Sequence, residues 1–169
     1  IIVTGGSGFI GSNLVNYLIK KKYYVINIDK LTYSSNRYDH PNRSYKNYKL
    51  FKIDINNKLK LIKIIKRYKP EAIFNLAAET HVDRSIDGPK SFIHTNINGT
   101  FSLLESLRYL KKNKITPKLI HISTDEVYGD IKNNLRSDEN YKYDPSSPYS
   151  ASKASADMIV RSFNKTYAA

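Results

Sequence analysis

The sequence predicts an α/β fold, a doubly wound parallel sheet with helices on both faces. Three observations carry that prediction. Short apolar, β-branched runs alternate with longer helix-like stretches along the whole chain. The runs are near-continuous, as in Ala72-Ile73-Phe74-Asn75-Leu76, the pattern of strands covered on both faces. The first run opens into a glycine-rich turn, Gly5-Gly6-Ser7-Gly8-Phe9-Ile10-Gly11, and then into an apolar helix.

Ile1-Ile2-Val3-Thr4 reads as the first strand, and a helix is expected near 9–21. Four of the seven glycines fall between positions 5 and 11. Strand, glycine turn and helix in that order form the first βα unit of a Rossmann-like, dinucleotide-binding sheet. Gly5 permits the sharp turn, Gly8 leaves room for a pyrophosphate, and Gly11 lets helix and strand pack closely. The helix N-terminus would offer N–H groups and partial positive charge to the phosphates. The spacing is Gly-x-x-Gly-x-x-Gly, and taken alone it also fits a plain tight turn. Asp29, ending the next strand near 24–28, lies where an acid can accept hydrogen bonds from ribose hydroxyls. It would repel a 2′-phosphate, favouring NAD over NADP, with Lys30 weakening that preference slightly.

Further strands are expected near 48–53, 72–76 and 118–123. In the helix near 57–68, Leu61, Ile64, Ile65 and Tyr68 recur at i, i+3, i+4 and i+7, which marks one buried face. Pro70 ends it. Helices are also expected near 91–113 and 148–167. The longer loops, about 30–47, 77–90 and 124–147, all follow strand ends, where ligands of such sheets bind. The tail Tyr167-Ala168-Ala169 stops in a helix-like stretch, with no sixth strand visible.

The chain has 169 residues and no cysteine, which fits a reducing, cytoplasmic setting. No apolar run reaches the ~20 residues of a membrane span, and no signal peptide is visible. The net charge of +13 raises the question of nucleic acid. The lysines are dispersed, however, as at Lys58, Lys60, Lys63, Lys66 and Lys69, and form no stripe interleaved with aromatics. No nucleic-acid partner is expected; a positive field suits an anionic small molecule. His40, His81, His94 and His121 lack metal-ligand spacing, and no metal is expected.

Tyr149 and Lys153 lie four residues apart on an expected helix, so both project from one face. A phenol titrates near ~10 and becomes a usable base when a neighbouring ammonium favours the phenolate. Ser123 and Thr124 end the preceding strand and can hold a reacting hydroxyl. Asp125 and Glu126 follow, two carboxyls suited to opposite proton-transfer duties. A Tyr-x-x-x-Lys spacing also arises by chance, and two acids also occur on plain surface loops.

Thr4 to Gly11, Leu76-Ala77-Ala78-Glu79-Thr80-His81-Val82-Asp83-Arg84-Ser85, Ser123-Thr124-Asp125-Glu126-Val127-Tyr128-Gly129 and Tyr149-Ser150-Ala151-Ser152-Lys153 together resemble the extended short-chain dehydrogenase/reductase superfamily. Within it they are most similar to the dTDP-glucose 4,6-dehydratase family, and Thr-Asp-Glu is the specific element.

The resemblance implies an NAD-dependent lyase acting on a nucleotide-glucose, with dTDP-glucose favoured. Tyr149 would take the C4 hydroxyl proton with Thr124 bound to that hydroxyl. Glu126 would remove the C5 proton, and Asp125 would protonate the departing C6 hydroxyl. Lys153 would hold the nicotinamide ribose. Phe9, Ile10, Asp29, Lys30, Leu31, Thr32, Asp54, Ile55, Leu76, Ala77, Ala78 and Thr95 would contact NAD, and Thr80 the substrate. For Leu31 and Ile55 ordinary packing is an equal alternative.

Family members run to about twice this length, so residues 1–169 would be the NAD-binding domain with the C-terminal substrate domain absent from this chain. The family also implies a homodimer of the full-length protein through the helices near 91–113 and 148–167. A UDP-glucose 4,6-dehydratase, a nucleotide-sugar 4-epimerase and a non-catalytic, NAD-binding, dimerising fragment remain alternatives.

Overall fold

The computed structural model describes residues 1–35, 45–131 and 136–167. His40, Ala168, Ala169 and parts of the loops expected at 30–47 and 124–147 lie outside the described residues. Five strands form one parallel sheet: β1 (Ile2–Thr4), β2 (Val25–Asp29), β3 (Tyr48–Lys52), β4 (Ala72–Asn75) and β5 (Lys118–His121). Their order is β3-β2-β1-β4-β5. The chain winds outward from β1 in one direction and then, from β4, in the other. This reversal between β1 and β4 leaves a crevice at the strands' carboxyl ends.

Helix α1 (Phe9–Lys20) covers one face. Its Val15, Leu18 and Ile19 pack with Val3 and Val25. Helices α2 (Lys58–Tyr68) and α5 (Gly99–Lys111) cover the other. Leu61, Ile64 and Ile65 of α2 join Leu103, Leu107 and Leu110 of α5 against Ile2, Ile26, Ile28 and Ile73. The lysines of α2 fall on its outer face, so the charge that dominates its sequence does not disturb the core. Asn57 caps α2 by accepting from the Lys60 N–H at 3.1 Å. Lys69 takes the left-handed conformation at the far end, φ 42°, immediately before Pro70.

Three segments differ from expectation. Residues 77–90, read as loop, contain a short helix α3 (Val82–Asp87). Six residues are too few to show a helical period, and Ile86 is exposed, so no apolar stripe announces it. The helix expected near 91–113 is composite: α4 (Lys90–Phe92), a π-helical stretch Ile93–Asn98, then α5. The 124–147 segment carries a 3₁₀ turn, Asp125–Tyr128, before α6 (Pro148–Tyr167). Among the described residues no helix is long and apolar enough to cross a membrane.

Candidate functional site

Gly5 leaves β1 with φ 67°. Its N–H donates to Ile28 O at 2.9 Å, tying the turn to β2. A Cβ here would lie 2.7 Å from Ala77 N and 2.8 Å from Ala77 Cα, so the turn sits directly on the exit of β4. Gly11 meets the Gly5 carbonyl in the same way. Gly8 differs: the nearest atom to a Cβ there is Gly5 O at 3.4 Å, leaving open space on the groove side. The helix starts at Phe9, so first-turn N–H groups face that space. This arrangement fits a pyrophosphate.

Asp29 ends β2 beside the turn. One carboxylate oxygen accepts from the Ser7 N–H at 2.9 Å and the other from the Leu31 N–H at 2.7 Å. The residue expected to bind ribose therefore also orients the glycine turn, with lone pairs still free for hydroxyls. Lys30 reaches across to Thr95 Oγ1 at 3.1 Å and to Glu79 at 3.4 Å. Thr95 and Asn96 face inward from the π-helical stretch, a geometry that often marks functional positions. Asn96 holds the segment after β4: its Oδ1 accepts from Glu79 N at 2.8 Å and its Nδ2 donates to Glu79 O at 3.0 Å.

These elements enclose a groove of about 440 Å³, within the range of small-molecule sites. Gly5, Gly8, Phe9, Ile10, Gly11, Asp29, Lys30, Thr32, Ile55, Leu76, Ala77, Ala78, Thr80, Thr95, Thr124, Tyr149 and Lys153 all line it. Four expected residues do not. Leu31 is left-handed, φ 57°, and serves the Asp29 bond. Asp54 is held by Asn56 N–H at 2.8 Å behind the wall. Asp125 and Glu126 are exposed on the 3₁₀ turn at the mouth. Ile28, Ile53, Ser34, Ser35, Glu79, Ile122 and Ser123 also line the groove. Glu79 lies inside the Leu76–Thr80 stretch already singled out, whereas nothing in sequence distinguishes Ser34 and Ser35.

Tyr149 is buried on α6, its ring edge-on to Phe92 at 6.3 Å. Burial pushes its phenol above the ordinary range. The Thr124 hydroxyl hydrogen-bonded to it pulls the other way, and the Glu126 and Asp125 carboxylates push it up further. Thr124 also caps the 3₁₀ turn, accepting from the Glu126 N–H at 3.3 Å. The expectation that Lys153 acidifies Tyr149 stands beside a contact that sequence did not indicate. Lys153 is buried and donates from Nζ to Ile122 O at 2.5 Å. Burial lowers its own ammonium pKa, and Asp157 opposes that. Among the described residues no cluster of three His, Cys, Asp or Glu side chains could hold a metal. The groove thus offers a phosphate cradle, an acceptor suited to ribose and, at its far end, a phenol, a hydroxyl and an amine where a sugar hydroxyl could be deprotonated.

Comparison with known proteins agrees with this geometry. A 4,6-dehydratase from Salmonella typhimurium, specific in name for dTDP-glucose, is 46% identical over 185 residues, spanning 99% of this chain and 51% of that protein. The crystal structure of dTDP-glucose 4,6-dehydratase from Bacillus anthracis, in complex with NAD, matches at a TM-score of 0.85 and 43% identity, covering 99% of this chain and 51% of that one. The UDP-glucose 4-epimerase of Thermus thermophilus, also solved with NAD, matches at a TM-score of 0.86 but 29% identity, covering 99% and 51%. Backbone likeness alone therefore does not separate dehydratase from epimerase. The chain spans about half the length of the curated relatives it matches. The family model described as GDP-mannose 4,6 dehydratase matches residues 2–169, and the chain belongs to that family.

Proposed function

We propose that the protein carrying this chain is an NAD-dependent nucleotide-sugar 4,6-dehydratase, with dTDP-glucose as substrate and residues 1–169 as its NAD-binding domain. The observation that carries this reading is the position of the Tyr149 phenol. It lies in the groove with the glycine turn, hydrogen-bonded to Thr124, and feels the carboxylates of both Glu126 and Asp125.

NAD, when bound, would supply the hydride acceptor for C4 and the hydride donor for C6. Gly8, Gly11 and the start of α1 would hold its pyrophosphate, and Asp29 its adenosine ribose. The walls Leu76-Ala77-Ala78 and Thr95 would bracket the nicotinamide half. Tyr149 receives the proton of the sugar C4 hydroxyl, which Thr124 orients. A ketone at C4 acidifies the C5 proton, and Glu126 takes it. Asp125 donates a proton to the C6 hydroxyl, which leaves as water, and Glu126 returns its proton to C5 as C6 gains hydride. Both acids sit on the rim, so a sugar reaching from the groove would lie between them and Tyr149. Two carboxyls with opposite duties suit an elimination, whereas an epimerase needs neither.

The protein is further proposed to be a cytoplasmic homodimer, on its cysteine-free composition and on an apolar face. Helices α5 and α6 pack together, and Phe101, Tyr109 and Met158 on them are about half exposed.

Replacing Glu126 by Gln tests the chemistry. We expect NAD reduction on mixing with dTDP-glucose, detected by absorbance, with product dehydration reduced by at least about 100-fold. Undiminished formation of the product lighter by one water would refute the role of Glu126. A product of unchanged mass from the native protein would instead indicate the epimerase.

A further inference from the structure

Behind the groove lies a buried polar row that the proposed reaction does not use. Thr4, Asn75 and His121 end the adjacent strands β1, β4 and β5, and they are partners in register across the sheet. Ala77 N–H donates to Thr4 Oγ1 at 3.3 Å, and Thr4 Oγ1–H donates to Asn75 Oδ1 at 2.6 Å. This orders the Asn75 amide, so its Nδ2–H faces His121 Nδ1 at 3.0 Å. The imidazole proton is thereby placed on Nε2, which lies 3.4 Å from Asp157 Oδ1.

Asp157 ends the row. It is 7% exposed and sits one helical turn beyond Lys153 on α6. Its other oxygen accepts from Ser123 Oγ and from Tyr143 OH, the latter at 3.1 Å. Tyr143 in turn accepts from the Arg161 guanidinium at 3.1 Å. The groups facing Asp157 are thus His121 and Ser123 from β5 and its exit, Tyr143 from the loop before α6, and Lys153 on its own helix. Ser123 and Tyr143 donate to Asp157, while the His121 ring faces it without a hydrogen bond. A buried carboxylate is favoured by nearby positive charge: Lys153, 6% exposed, lies one turn away on the same helix, and the His121 ring faces the carboxylate from β5.

We propose that Asp157 is a positioning residue for the Tyr149–Lys153 pair: it clamps the exit of β5 to α6 through Ser123, Tyr143 and His121, and it supplies the buried negative charge facing the Lys153 ammonium. The clamp holds Ile122 and Thr124, on either side of Ser123, at fixed distance from α6. Ile122 O is the acceptor of Lys153, and Thr124 is the hydroxyl on Tyr149. Two groove residues are therefore set by a side chain that does not line the groove.

The inference deepens the proposed dehydratase reading, and two measurements keep their failures apart. The first is the ¹³Cε titration of Lys153 by NMR in the NAD-loaded protein, native against Asp157→Asn; Asp157→Ser replaces it if the asparagine variant does not fold. The neutral variant should titrate at distinctly lower pH, with Asp157→Glu restored towards native. The second is the pH profile of kcat with dTDP-glucose. The alkaline limb should move to lower pH, so that the rate near pH 9 relative to pH 7 falls at least about threefold in Asp157→Asn. An unmoved Lys153 titration overturns the proposal, because a merely structural acid would leave the amine untouched. A moved titration in a native protein that never reduces NAD with any nucleotide-glucose upholds the proposal and removes the dehydratase reading instead.

Discussion

Replacing Gly5 and Gly8 separately by Ala should separate fold from ligand binding within one turn. At Gly5 the backbone has φ 67°, where an L side chain costs about 1–2 kcal/mol. Its Cβ would also stand 2.7 Å from Ala77 N and 2.8 Å from Leu76 C. Those are backbone atoms at the exit of β4 and cannot rotate aside. Forcing such an overlap typically costs about 1–3 kcal/mol more. A loss near 3 kcal/mol corresponds to roughly 6–12 °C in Tm for a chain of this size. At Gly8 φ is −75°, ordinary for any residue, and the nearest atom to a Cβ is 3.4 Å away. Stability there should change by less than about 1 kcal/mol, from the altered N-cap. The added methyl instead occupies the space reserved for phosphate, and NAD affinity should fall at least about tenfold. Thermal unfolding without ligand and calorimetric titration with NAD read the two effects. A Gly5→Ala protein melting within about 2 °C of native, or a Gly8→Ala protein binding NAD normally, would refute the assignment of these glycines.

Asp157 also predicts an acid response. Burial pushes its carboxyl up, but the facing His121 ring and the hydrogen bonds from Ser123 and Tyr143 prevail and leave it below the usual carboxylate range. Its stabilisation is thus complete above about pH 4 and is lost as pH falls through the lower folded-state value. Urea midpoints should fall as pH drops below about 4, and Asp157→Asn should flatten that dependence; parallel curves would refute it. Light scattering of the full-length protein should give twice the monomer mass, and a monomer would refute the proposed pairing through α5 and α6.

What could be read from sequence was what is local. The β1 turn, α1 and Asp29 are covalent near-neighbours whose geometry follows from a few residues. The α6 bounds matched because twenty residues carry enough apolar positions to define a face. The short helix α3 escaped because it is stabilised locally, by Ser85 Oγ donating to Val82 O at 2.6 Å, with almost nothing apolar buried. The π-helical stretch escaped because its hydrogen bonds depend on tertiary partners, such as Asn56 Nδ2 donating to His94 O at 3.1 Å. Spacing placed Tyr149 and Lys153 on one face of a helix, as found, but could not say what Lys153 would touch. That depends on Ile122, 31 residues away in the chain.

The polar ends of β1, β4 and β5 explain why chemistry appears where it does. Strands covered on both faces should be apolar throughout, yet Thr4 and Asn75 are essentially fully buried and His121 is nearly so. Each of these groups left unpaired would cost about 1–3 kcal/mol. A single polar strand end would therefore be a defect. Three adjacent ends in register partner one another, Thr4 with Asn75 and Asn75 with His121 Nδ1, which leaves only His121 Nε2 without a hydrogen bond in the row. Helix α6 brings Asp157 to within 3.4 Å of the His121 ring, and Lys153 lies one turn away on the same helix. The lysine is buried at the groove beside the polar strand ends, with its Nζ on Ile122 O at the exit of β5.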